Sequence, residues 1–127
     1  MSTTTTDDKA SPRPLPADCL AAIFDRDTSY LYLYAQGKYE TPALTSFVEL
    51  PWIGARKFEF QGLYLIGSEG GTPTEHQYAQ KFPAGSTPHF PLKSVLIVVA
   101  DGEGGKTKTI VVPVETVTLF QGEGPSA

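Results

Sequence analysis

The chain is poor in the residues that most often carry chemistry. It has one cysteine, two histidines, one tryptophan and one methionine, and no asparagine at all. A lone Cys19 has no partner for an internal disulfide, so no oxidising compartment is implied, and it reads as a small hydrophobe. Without asparagine there is no N-glycosylation sequon. Basic residues are also scarce: ten Lys and Arg stand against fourteen Asp and Glu, a net charge of −4 with an isoelectric point near 5.0. The densest basic groupings, Arg56-Lys57 and Lys106/Lys108, are interleaved with strand residues. A nucleic-acid backbone is therefore excluded as the expected partner, because phosphate binding needs clustered cations.

Long apolar runs are missing as well. No stretch approaches the roughly 18 residues of a membrane-spanning helix. The first apolar segment, Cys19–Phe24, is too short and too weakly flanked by base to be a signal peptide. A cytoplasmic location is the default expectation, and export without a cleavable signal is compatible with it.

What the chain does have is alternation. In Ser29-Tyr-Leu-Tyr-Leu-Tyr-Ala35, three phenols alternate with Leu31, Leu33 and Ala35. A strand sends successive side chains to opposite faces, so the rings occupy one side and the aliphatic groups the other. Two orientations satisfy this pattern. Either Tyr30, Tyr32 and Tyr34 fill the interior, or the aliphatic row does and the phenols line an outer face.

The remaining punctuation is that of an all-β chain. Residues 1–16, with a Thr tract and Pro12, Pro14 and Pro16, read as a disordered N-terminal arm, and 121–127 as a flexible tail. Between them, residues 17–120 form the expected domain. Leu20–Phe24 reads as a short strand, with a helical turn at Ala17–Phe24 as the alternative. Asp25–Ser29 is a turn held by side-chain bonds to backbone, since the glycine and glutamate of a calcium loop are absent. Gln36-Gly37-Lys38 turns the chain. Further strands are predicted at Ala43–Leu50, Arg56–Ile66, Ser94–Ala100, Thr107–Val114 and Glu115–Phe120. Gly62 marks a bend or a change of cover within Arg56–Ile66. Val95–Val99 suits a strand buried on both sides, and Pro113 marks an edge or bulge. Seven or eight short strands predict a single antiparallel β-sandwich of immunoglobulin-like or jelly-roll type, with a small barrel as the alternative.

Gly67–Pro91 reads as a long irregular segment with one short strand or helix at Glu75–Phe82, and loops of that length often bind ligands. It carries His76 and His89, whose spacing matches no zinc site. No metal, cofactor or catalytic residue is expected: there is no Gly-x-Ser-x-Gly elbow and no histidine placed beside Cys19. The expected role is a non-catalytic binding or assembly module, in which a tyrosine-bearing face forms a homo-oligomeric or other protein interface. The candidate binding residues are Tyr30, Tyr32, Tyr34, Trp52, Tyr64, His76 and His89. A carbohydrate or small-ligand binder using Trp52, the tyrosines and the 67–91 loop is the first alternative. A small hydrolase or metal-dependent enzyme around Glu75, His76 and His89 is the second.

Overall fold

A computed structural model describes residues 10–52, 54–65, 71–83, 93–102 and 104–117. They form eight strands: β1 (Ala10–Pro14), β2 (Cys19–Asp25), β3 (Tyr30–Tyr39), β4 (Leu44–Leu50), β5 (Lys57–Leu65), β6 (Thr74–Pro83), β7 (Ser94–Ala100) and β8 (Thr107–Val117). The strands join in one sheet, ordered β1-β5-β7-β8-β2-β3-β6, with β4 paired to β5. This sheet curls into a half-barrel, and the all-β expectation holds. It is mixed rather than wholly antiparallel, because β2 runs parallel to β8 and β5 parallel to β7.

Alternation along β3 sets inside and outside. Leu31, Leu33 and Ala35 are fully buried, whereas Tyr30, Tyr32 and Tyr34 are half-buried on the outer face. The same period places Phe58 and Phe60 of β5 and Val95, Ile97 and Val99 of β7 inside with no exposed surface. Burial of each such side chain contributes about 1.5–3 kcal/mol. The interior rings contact one another directly: Phe47 lies 4.9 Å from Phe60 between centroids, and Phe58 lies 4.8 Å from Phe82. On β7 the outward residues Leu96 and Ala100 keep partial exposure, so burial on both faces is reached only at Val98.

Two sequence expectations are corrected. The arm expected over residues 1–16 contains β1, and Leu15 just after it is 2 % exposed. The Leu15 N–H bonds to the Phe60 carbonyl (2.9 Å), which fixes the phase of the β1–β5 ladder. Pro12 and Pro14 fall at alternate steps, where no N–H is needed toward β5, so their missing donors cost nothing there. Residues 1–9 and 118–127 lie outside the described residues, as do His89 and both ends of the 67–91 segment.

The strand expected at Leu20–Phe24 is present as β2, and the alternative helical turn is not. The second correction is at Gly37, where β3 continues to Tyr39 instead of turning. A Cβ on Gly37 would overlap the Pro16 carbonyl oxygen and sit 3.1 Å from the Ala17 Cα. Glycine is required there because another backbone crosses the strand closely. Gly62, likewise, does not end its strand: β5 runs through it, and the missing side chain makes room for Leu15 and Pro42. The strand or short helix expected at Glu75–Phe82 is a strand, β6. The centre of the expected loop is a ten-residue strand paired along its length with β3.

The Asp25–Ser29 turn is built as its residues predict. The buried Asp25 carboxylate accepts the Asp27 N–H (3.0 Å) and the Thr28 hydroxyl (2.8 Å), while Ser29 takes a φ of 61°. At the β7–β8 hairpin, Gly102, Gly104 and Gly105 have φ near +80°, which L side chains avoid.

A Gly37→Ala substitution is expected to destabilise the fold by about 2–4 kcal/mol, since rigid backbone meets the new methyl. Urea unfolding followed by circular dichroism measures this, with Gly71→Ala as the control because a Cβ there meets nothing within 4 Å.

Candidate functional site

The outer surface of the half-barrel carries an apolar belt centred on β3 and β2. Cross-strand register builds it row by row. Ile23 of β2 stands beside Tyr32 of β3, which stands beside Lys81 of β6; Ala21 stands beside Tyr34 and then Ala79. On the other side of β2, Glu115 of β8 pairs with Ile23, and Pro113 precedes it by one outward step. Val111 continues the belt at 63 % exposure, next to Leu96 of β7. Sequence reasoning found the tyrosines. It missed Ala21, Ile23, Pro113 and Val111, which belong to separate short strands and become neighbours only through the parallel β2–β8 pairing.

Polar groups tether the rings without hiding them. The Lys81 ammonium sits 4.4 Å from the Tyr30 ring centroid, a cation–π contact. The Tyr34 hydroxyl donates to Gln36 Oε1 at 3.2 Å, and the Gln36 amide in turn donates to Glu75. These contacts limit the rotamer freedom of two phenols. A preordered ring loses less entropy on contact with a partner.

A groove interrupts the belt between β2 and β8. The Arg26 N–H bonds to the Val117 carbonyl (2.9 Å), which sets the phase of the parallel ladder. Two repeats further back, the Leu20 carbonyl would have to accept from the nitrogen of residue 113, and that residue is proline. The pairing accordingly stops at Ala22 and Val114, and Leu20–Ile23 and Val112–Glu115 line the opening. The edge or bulge expected of Pro113 is this break.

The other candidate residues lie elsewhere. Tyr64 is 5 % exposed and turned inward; its hydroxyl donates to the Glu40 carbonyl at 2.6 Å, and the Arg13 guanidinium lies over its ring. Tyr64 therefore fills the core instead of lining a surface. Trp52 is 46 % exposed in the β4–β5 connection. His76 is on β6, its ring stacked on Tyr39 with centroids 4.5 Å apart and its Nε2 3.2 Å from the Tyr39 carbonyl and 3.0 Å from the Thr74 hydroxyl. Glu75 points to the opposite face of the same strand and meets Gln36, so Glu75 and His76 do not converge.

The inward polar residues of β6 face the free edge of β4. The Gln80 side chain accepts the Phe47 N–H at 2.9 Å, reaches back toward the Phe47 carbonyl at 3.4 Å, and accepts the Tyr78 hydroxyl at 2.7 Å. At the end of this seam, buried Arg56 pairs with Glu49 at 2.8 Å and donates to the Pro83 carbonyl at 3.1 Å. Side chains here take over what a backbone ladder would supply.

Among the described residues no three or more His, Cys, Asp or Glu side chains are grouped so as to hold a metal ion. No helix among them is long and apolar enough to cross a membrane. Comparison with known families, with characterised proteins and with solved structures finds no match for this chain.

Burial raises the pKa of the inward phenols Tyr39, Tyr64 and Tyr78 above the ordinary 10.0; the neighbouring phenol of Tyr64 adds to the effect at Tyr39, and Glu40 adds to it at Tyr64. The folded chain thus holds these protons more tightly than the unfolded one. Their contribution is fully present below pH 10 and is lost as pH rises through the folded values. Urea midpoints are expected to fall as pH increases beyond about 10, and Tyr64→Phe is expected to shrink that fall.

Proposed function

We propose that this protein is a non-catalytic binding and assembly module whose outer tyrosine face, centred on Tyr30, Tyr32 and Tyr34, is a protein interface between copies of the same chain. The observation that carries this reading is the outward direction of the three rings, continued by Ile23, Ala21, Pro113 and Val111. A contiguous apolar surface of a few hundred Å² marks an interaction site more often than it occurs on an uncommitted monomer. Tyrosine suits such a surface, having large area, few rotatable bonds and a hydroxyl that tolerates water. A self-association site is the simplest use of such a face, because identical subunits supply the complementary surface.

The alternatives draw less support. A carbohydrate or small-ligand site would need Trp52 and the tyrosines around one concavity, whereas the rings of β3 lie on the outward-curving side of the sheet. A hydrolytic or metal-dependent centre would need Glu75 and His76 to act together, and they project from opposite faces of β6. The Pro113 groove adds a shallow recess to the same belt as the tyrosines, so it strengthens the interface reading.

Light scattering across a concentration series tests the proposal. Mass is expected to rise from monomer to a defined oligomer, and Tyr32→Ser is expected to weaken association by about tenfold or more with the far-ultraviolet circular dichroism unchanged. A parent chain that stays monomeric at high concentration would remove the proposal, as would a Tyr32→Ser chain that fails to fold.

A further inference from the structure

Resting on the homomeric reading above, the pattern of charges across the belt specifies how two copies meet. Register places four outward side chains side by side at one level of the sheet: Glu115 of β8, Ile23 of β2, Tyr32 of β3 and Lys81 of β6. The order is acid, aliphatic, aromatic, base. Glu115 forms no ion pair among the described residues, and neither does Lys81, whose ammonium lies over the face of the Tyr30 ring.

We infer that two copies of this chain pack face to face about a twofold axis lying between β2 and β3 and parallel to them. Rotation about that axis reverses each row against its own copy. Glu115 then meets Lys81 of the second copy, and Ile23 meets the second Tyr32. The same operation brings Lys81 to the second Glu115, so each central row gives two ion pairs around an apolar centre. One step along the strands, the row Pro113, Ala21, Tyr34, Ala79 reverses likewise. That seats the Tyr34 ring over the small Ala21 and the ring of Pro113 over Ala79. A large ring opposite a small residue lets both surfaces close without a gap.

The charges also choose between axes. A twofold running across the strands instead of along them would lay Glu115 on Glu115 and Lys81 on Lys81, placing like charges together in both positions. Such juxtapositions suppress wrong arrangements more strongly than correct pairs add affinity. Face-packed sheets cross at about 30° because each is twisted. With the axis bisecting that angle, the pairing is confined to the rows nearest the crossing point, where this packing sets Glu115, Lys81 and the tyrosines.

Charge exchange on the full-length chain tests the arrangement, read by sedimentation equilibrium at low ionic strength with circular dichroism as the folding control. Glu115→Lys and Lys81→Glu are each expected to raise the dimer dissociation constant by about tenfold or more. The double variant carrying both changes restores opposite charges at both contacts, and its constant is expected to return to within about threefold of the parent. Equimolar mixing of the two single variants is expected to give a heterodimer tighter than either homodimer. Single variants that associate like the parent, or a double variant as weak as the singles, would overturn the paired-row geometry. If Tyr32→Ser still disrupts association in that case, the homomeric face stands and only this arrangement fails. A parent chain that remains monomeric removes both.

Discussion

Pairing along β3 constrains the rest of the molecule, because this strand is bonded on both sides over most of its length and its side chains separate cleanly by face. Leu31, Leu33 and Ala35 leave no surface in water, and a slip of one residue would exchange them for three phenols. The fully buried aliphatic row therefore holds register as well as contributing burial. It forces the aromatic row outward, where nothing else in the described chain covers it. The buried aliphatic row and the outward aromatic row are two consequences of one alternating hexad.

The two weak lines of the sheet have different causes. Between β2 and β8 the ladder ends where proline lacks the N–H that the Leu20 carbonyl would use. Between β4 and β6 no ladder is present, and Gln80 and Arg56 bridge the gap with side chains. The second solution satisfies the exposed edge of β4 at Phe47 and blunts it against strand addition. The first leaves a recess inside the apolar belt. The molecule is thus guarded at one seam and open at the other, and the open one lies beside the tyrosines.

Much of this was legible in the sequence. Strict alternation at 30–35 announced a strand, the glycine cluster at 102–105 a hairpin, and Pro113 an interruption. The direction of the tyrosines was not legible, because Leu31, Leu33 and Ala35 alone do not reveal how much other apolar volume shares their side; Phe47, Phe58, Phe60 and the inward residues of β7 decide that together. β1 was hidden by its prolines, which signal disorder in isolation yet here occupy the positions of an antiparallel pair that need no donor. β6 was legible only as a strand or a short helix, because His76 and Gln80 put polar groups at inward positions; the purpose of Gln80 appears only when the unpaired edge of β4 arrives opposite it. Parallel pairing of β2 with β8 joins residues about ninety positions apart, and no local signal encodes it. The belt that extends the tyrosine face inherits that invisibility.

The most direct measurement is the access of a soluble paramagnetic chelate to individual side chains by nuclear magnetic resonance, at concentrations below and above the association midpoint. The Tyr32 ring should be strongly broadened in dilute protein and protected in concentrated protein, with the Leu31 and Leu33 methyl groups protected in both. A Tyr32 ring shielded even at high dilution, or leucine methyl groups open to the chelate, would contradict the division of faces from which the interface follows.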